Sequence, residues 1–398
     1  MKQVANHDTM RSTNLLTVFH CIGRYGPITK REIQAITGLS WGSVSNLTTT
    51  LIQKGILVEK DKFPSSTGRS SQSIEIDSDH NLIIGVDVNL QGITGVVIDL
   101  KGTVKQVIKE PIKGVGRTVL MQQTKSVIRR LMALLPDKGE VKGLGISFPG
   151  HVDQRRGISI KIHHFDGFEN YPVSDDIKNE FRLDVMLEHD PNCIAIAAHA
   201  LGVAQDVDDF VLIRMCRGIG MGIYNKGIFR GYSGASGEIG HMIMNPDGPR
   251  CMCGHQGCLE TYTSVNKLLE HSLEYVKKEK TSVFAEIFKQ DGGMALQTLR
   301  RAAEEKDEFA LSLLSRAAQY AGIAVSNVVN ILDPSAVILS GEILGLGDTF
   351  IPKMFETAQT EVWRDSKIDF RLLYDHCEMA AVGAASLFID KIFLDTIL

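Results

Sequence analysis

The sequence predicts two architectures in one α/β chain: a winged helix-turn-helix over residues 1–80 and a duplicated α/β fold with a central cleft over 81–398. Three observations carry this. Residues 1–80 place capped helical segments ahead of a two-strand hairpin. From Asn81 onward strand-like runs alternate with helical ones. A strand-strand-strand-helix-strand order is read there twice. At 398 residues, with 43% hydrophobic and 23% charged residues, the chain has ordinary globular composition and material for two or three domains.

In the head, Asn14–Arg24 repeats apolar residues at helical spacing (Leu15, Leu16, Phe19, Ile22), and Gly26-Pro27 breaks the pattern. Thr29 and Glu32 form a capping box for a second helix, which turns Ile33 and Ile36 inward and stops at Gly38. Ser40 caps a third helix with Val44, Leu47, Leu51 and Ile52 inward, and Gly55 ends it. Ile56–Lys60 and Ser73–Ile76 read as strands around a Gly/Ser-rich tip at 64–71.

The Gly-containing turn Thr37–Ser40 suits a helix-turn-helix. Opposite Val44 and Leu47, the following helix carries Trp41, Ser43, Ser45, Asn46, Thr49 and Thr50, whose hydroxyls and amides suit base edges and phosphates. Lys30 and Arg31 begin the preceding helix, in reach of a phosphate backbone, and Arg69 in the tip suits a minor groove. Residues 1–80 hold nine Lys and Arg against seven Asp and Glu, the remainder 34 against 40. So few cations make one head a weak binder, and the expected DNA reader is a dimer on two half-sites.

In the body, residues 81–111 supply three strands, and a helix is expected at about 118–135. Residues 141–149 read as a buried strand, Asp184–Glu188 as another, and Pro191–Leu201 as a helix that Asp190 can cap. Residues 208–227 read as a Gly-rich hairpin, 264–329 as helices and 336–342 as a strand running into a loop. His241, Cys251, Cys253 and Cys258 have the spacing H-x9-C-x-C-x4-C. Three thiolates and one imidazole complete a tetrahedral Zn2+ set with no open position, hence a structural site. Cys21, Cys193, Cys216 and Cys377 are isolated and expected to be small buried hydrophobes. The N-terminus lacks the apolar core of a signal peptide, and no run approaches the ~18–20 apolar residues of a membrane span. With so clustered a cysteine set, a cytoplasmic protein is expected.

Gly237–His241 followed by Cys251–Glu260 resembles the signature of the ROK family of sugar kinases and repressors. The run GLSWGSVSNL with the later Gly68-Arg69 is similar to the head of its repressor branch. The resemblance implies an actin-like, ribonuclease-H-like sugar-kinase fold, with Glu238, His241 and Glu260 contacting sugar and Asp190 at the position of the kinases' catalytic base. It also implies an effector other than unmodified glucose, such as a phosphorylated or acidic sugar, because His189 and His164 stand where the family usually has Asn. Where the kinases carry Asp-x-Gly-Gly-Thr-Lys, this chain has Asp87–Gly92 with Leu90 and Gln91, and Glu342 replaces a glycine in a later phosphate loop. Arg217–Gly222 keeps its glycines. The expectation is a sugar-responsive repressor of carbohydrate-utilisation genes, a homodimer or homotetramer on operator DNA, without efficient phosphotransfer. The alternatives are an active ATP-dependent sugar kinase, or control by a sugar-transport protein. The apolar C-terminal helix, Ala380–Leu398, is expected either to dock such a partner or to pack on the body or the head.

Overall fold

The computed structural model describes residues 7–63, 71–114, 116–162, 165–363, 365–374 and 378–395. The head is α1 (His7–Tyr25), β1 (Ile28–Thr29), α2 (Lys30–Thr37), α3 (Trp41–Gln53), β2 (Leu57–Phe63) and β3 (Ser71–Ile76). Its strands form an antiparallel sheet in the order β1-β3-β2. The capping box forms as expected: the Thr29 amide donates to Glu32 Oε2 at 2.8 Å, and the Glu32 amide donates to Thr29 Oγ1 at 3.3 Å. Gly38 turns the chain at φ 70°, and Ser40 Oγ accepts from the Ser43 amide at 3.2 Å. Leu15, Val18, Ile22, Ile33, Val44 and Leu51 fill the core between the helices. Two expectations are corrected. The first helix starts at His7, not Asn14, and Ile36 is 51% exposed. Three residues advance a helix about 60° short of a full turn. Ile33 alone fills the narrow face that this short helix turns to α1 and α3, leaving Ile36 outside.

The first lobe of the body contains β4 (Asn81–Val88), β5 (Gly92–Asp99), β6 (Val104–Pro111), α4 (Arg117–Ala133), β7 (Glu140–Phe148), the small hairpin β8 (His151–Asp153) and β9 (Ile158–Lys161), α5 (Val173–Phe181) and β10 (Val185–His189). Its main sheet runs β10-β7-β4-β5-β6, antiparallel along the β4-β5-β6 meander and parallel at β4-β7 and β7-β10. The crossing helix α6 (Asp190–Leu201) leads to the second lobe: β11 (Asp209–Met215), β12 (Ile219–Asn225), α7 (Glu260–Thr263), α8 (Val265–Lys278), α9 (Val283–Gln290), α10 (Leu296–Glu304), α11 (Glu308–Leu332), β13 (Ala336–Ser340), α12 (Ile351–Glu361) and β14 (Asp369–Leu373). This sheet runs β12-β11-β13-β14 with the same sense at each pairing: one antiparallel hairpin, then two parallel neighbours. The duplication is therefore present, but its second copy has a two-strand hairpin where three strands were expected. After β12 the chain leaves the sheet to build the His241–Cys258 loop.

The last helix, α13 (Met379–Asp395), crosses back onto the first lobe. A Cβ on Gly145 of β7 would lie 1.9 Å from the Ala384 carbonyl oxygen, so helix and sheet meet at backbone distance. Gly383 meets α6 as closely: a Cβ there would lie 1.7 Å from Cys193 O. The other side of α13 reaches the head. Val382, Ala385 and Phe388 belong to the same buried cluster as Leu15, Val18 and Ile22, and His20 Nε2 lies 3.4 Å from Asp390 Oδ1. The terminal helix thus packs on body and head at once, and residue 80 marks a change of architecture with no break in the core.

Candidate functional site

Between the lobes lies a cavity of about 170 Å³ that gathers His189, Asp190, Glu238, His241 and Glu260. Five of the six expected cleft residues therefore share one space; His164 lies outside the described residues. β10 carries His189 to its end and α6 begins at Asp190, with Pro191 in the first turn, where its missing N–H costs nothing. Asp190 makes no side-chain cap, contrary to the local reading of Asp-Pro. Its carboxylate instead accepts from Arg214 Nη1 and lies 3.3 Å from His189 Nε2. Glu188, buried behind them, accepts from Arg230 Nε at 2.6 Å, Asn192 Nδ2 at 2.9 Å and the His189 amide at 3.0 Å, which fixes the corner. Glu260 opens α7 and accepts from the Ile219 amide at 3.3 Å, joining the cleft floor to the β11–β12 turn.

Arg214, Glu188 and Arg230 escaped the sequence reading. One signal was available: Arg214 interrupts the apolar run Phe210–Met215, and a cation in a buried strand needs a carboxylate partner. Cys216, expected to be a buried hydrophobe, is half-buried, lines the cleft and accepts from the Glu342 amide at 3.4 Å. Cys21 and Cys193 are buried as expected; Cys377 lies outside the described residues. Across the cleft mouth, Gln91 Nε2 donates to Glu342 Oε1, so side chains of two loops on opposite lobes meet where phosphate loops were sought.

Behind that contact, Asp87 is fully enclosed, accepting from Ser147 Oγ and Asn89 Nδ2, each at 2.6 Å. Burial pushes its carboxyl from the usual 3.8 up to about 6, a rise that the nearby Arg214 charge offsets in part. Between those two values the folded chain holds a proton that the unfolded chain has lost. Stability therefore falls as pH rises through the interval, by up to about 3 kcal/mol. Asp87→Asn removes the penalty. Its melting temperature is expected to match the parent's near pH 4 and to exceed it by several degrees at pH 7. An offset independent of pH would show that no proton is held there.

The metal set converges. The ligand atoms of His241, Cys251, Cys253 and Cys258 all lie within 4.8 Å of one another. Cys251 Sγ is 3.7 Å from His241 Nδ1, and Cys253 Sγ is 3.7 Å from Cys258 Sγ. Four ligands held about 2.0–2.3 Å from one tetrahedral ion lie roughly 3.3–3.8 Å apart; two pairs here have that spacing, and these four residues fit a metal ion. Burial opposes ionisation of its thiols. The amide and ring of His255 overcome this at Cys253, drawing it down to about 6, whereas Cys258 is pushed up to about 12. A cation at the centre supplies the charge that three thiolates need. His241 also lines the cleft, so the metal loop and the cavity share a wall.

On the head, Trp41, Asn46 and Thr49 are exposed along α3, Ser45 is half-buried, and the Ser43 hydroxyl is engaged with Ser40 Oγ at 2.9 Å. Lys30 and Arg31 open α2 as expected, Arg31 exposed and Lys30 partly so; Arg69 lies outside the described residues.

A two-lobed, actin-like cleft with a four-residue cysteine–histidine cluster on its rim and a helix-turn-helix head defines the class: a sugar-kinase fold coupled to a DNA-binding type of module. The model of the ROK family matches residues 83–391, and the chain belongs to that family. The DNA-binding transcriptional dual regulator NagC of Escherichia coli (strain K12) is 27% identical over 401 residues, covering 100% of this chain and 97% of that protein. The xylose repressor of Bacillus subtilis (strain 168) is 26% identical over 398 residues, covering 99% of each. Among solved structures, a ROK family transcriptional regulator described as a homolog of the E. coli MLC protein aligns with a TM-score of 0.82 at 22% identity over 98% of both chains. A ROK family glucokinase from Streptomyces griseus, solved with glucose and AMPPNP, aligns with a TM-score of 0.67 at 25% identity, covering 77% of this chain and 98% of its own. The described residues include no helix long and apolar enough to cross a membrane.

Proposed function

We propose that the protein is a sugar-responsive transcriptional repressor that acts in the cytoplasm on carbohydrate-utilisation genes. In this reading α3 enters the major groove of operator DNA, and a dimer presents two heads. A sugar or sugar derivative binds among His189, Asp190, Glu238, His241 and Glu260, and Zn2+ in the His241–Cys258 cluster is structural. The observation that carries the reading is the continuous packing from cleft to head. α6 begins at the cleft residue Asp190, meets α13 at backbone distance through Gly383, and α13 shares a buried core with α1. A ligand that moves α6 therefore acts on the head through rigid elements. The full-length relatives, both named as transcription regulators, support the same reading. Phosphotransfer is disfavoured by chemistry: the Asp190 carboxylate is already paired with Arg214, and the Glu342 carboxylate opposes a polyphosphate.

The test combines DNA and sugars. Operator sequences selected from a random pool are expected to bind the protein, and Asn46→Ala is expected to weaken binding by about 1–3 kcal/mol, roughly 5–150-fold. A sugar that raises the melting temperature is expected to lower operator affinity about thirtyfold, a coupling of ~2 kcal/mol. Failure to select any DNA, or sugar-dependent ATP consumption at enzymatic rates, overturns the reading.

A further inference from the structure

A second cavity, of about 500 Å³, lies against the metal loop and shares no lining residue with the cleft. Its size falls within the range of small-molecule sites, about 300–1,000 Å³. Two helices face each other across it with residues at i, i+3, i+4 and i+7. These are His271, Glu274, Tyr275 and Lys278 on α8, and Phe309, Ser312, Leu313 and Arg316 on α11. Asn245–Pro249 of the metal loop and Tyr262 of α7 close the third side.

These stripes are unlike ordinary helix packing. α8 buries Val265, Leu268 and Val276 elsewhere and turns polar and aromatic side chains to this space. Tyr275 and Phe309 both line it and stack on each other, ring centres 3.8 Å apart and planes within 3°. Tyr262 stacks on Tyr320 at 4.2 Å, and its buried hydroxyl is set beside the Asn245 side chain. Around the rim stand two carboxylates, Asp247 and Glu274, and two cations, Lys278 and Arg316. Charges of both signs in equal number favour a neutral guest rich in donors and acceptors, and an aromatic lining suits the apolar C–H positions of a sugar ring.

We propose that this cavity is a second, neutral-carbohydrate site, separate from the effector cleft. Its occupant braces the metal loop from outside. Tyr262 and the cleft residue Glu260 share the single turn of α7, and Gly248 and Pro249 lie between His241 and Cys251. A sugar held there stiffens the segment that places His241 and Glu260, so the two sites are coupled reciprocally.

Isothermal titration of the full chain with glucose, xylose, N-acetylglucosamine and their β-1,4 disaccharides tests this. At least one of these sugars is expected to give two binding events per chain. Ser312→Trp, which fills the cavity from the exposed side of α11, and Arg316→Ala are each expected to abolish one event and to leave the other present, its affinity lowered about fivefold or more by loss of the coupling. Glu238→Gln is expected to remove the complementary event. Loss of cleft binding alone, with the event sensitive to Ser312→Trp retained, would count against the effector reading while supporting this site. No event with any of the six sugars, a single event that Ser312→Trp and Arg316→Ala leave intact, or two events that both variants leave intact, overturns the assignment.

Discussion

Cys258→Ser is expected to empty the metal cluster and to lower the melting temperature by roughly 6–20 °C. Cys258 is fully buried, its sulfur 3.7 Å from that of Cys253. Serine there gives a poor ligand with a pKa far above that of a thiol, so the set drops to three donors. Structural zinc contributes about 10–16 kcal/mol in peptides that fold only around it. Here the loop is also held by contacts that need no metal, among them the Leu259 amide on Met242 O at 2.8 Å and the Met244 amide on Gly257 O at 2.8 Å. A loss of about 3–5 kcal/mol is therefore the reasonable scale, at roughly 2–4 °C per kcal/mol. Sugar binding is expected to fall with it, since His241 and Glu260 flank the same loop. Metal analysis should find one zinc per parent chain and none in the variant, and a chelator should bring the parent down to the variant's melting temperature. His255→Ala is the control: its ring approaches Cys253 at 3.4 Å but lies outside the four-ligand set, and it should keep the zinc. A Cys258→Ser protein that retains both zinc and melting temperature ends the structural-metal account.

What could be read from the sequence, and what could not, follows the range of the interactions. The Thr29–Glu32 box, the Ser40 cap and the turn at Gly38 are settled within four residues, and each forms as read. The metal spacing was also legible, because its last three ligands sit on one tight loop. Asp190 was legible as a cleft residue, but the cap it also offered does not form, because its partner, Arg214, stands 24 residues away on β11, out of reach of any local pattern. Ile36 was misplaced because periodicity reports which side a residue takes and says nothing of how wide the contact face is. The Gly-rich hairpin at 208–227 was legible as two strands, but the expected repeat of the first lobe asked for a third, and the residues after β12 go to the metal loop instead. The two loops thought to have lost phosphate contacts, around Gln91 and Glu342, touch each other, which no pattern of spacings reveals. The apolar last helix was expected to dock a partner or pack on body or head, and it packs on both; that Gly383 brings it to backbone distance of α6 only the fold could say.

That helix supports the second large effect. Gly383→Ala would put a methyl group 1.7 Å from a backbone carbonyl oxygen of α6, that of Cys193, and a carbonyl inside a helix cannot swing aside as a side-chain tip can. Helix propensity favours alanine by about 1 kcal/mol, far too little to offset such an overlap. Either α13 lifts from α6 or both bend, and overpacking of this kind costs about 3 kcal/mol or more, lowering the melting temperature by roughly 6–12 °C. The functional effect is separable from that loss. Asp190 begins α6, and α13 also reaches α1, with Val382 in the same buried cluster as Leu15 and Val18 and Asp390 beside His20. A displaced α13 should leave sugar affinity and operator affinity each near parental values while abolishing the effect of one on the other. Gly145→Ala supplies the contrast. Its methyl group would strike the Ala384 carbonyl on the sheet side of the same helix, so it should destabilise comparably through the first lobe without acting directly on the α6 contact. Uncoupling by Gly383→Ala with coupling retained in Gly145→Ala, measured below both melting temperatures, would assign transmission to the α6–α13 crossing. If Gly383→Ala melts with the parent and sugar still releases its DNA, the signal travels by another path, and the His20–Asp390 contact and the shared core serve only to hold the head in place.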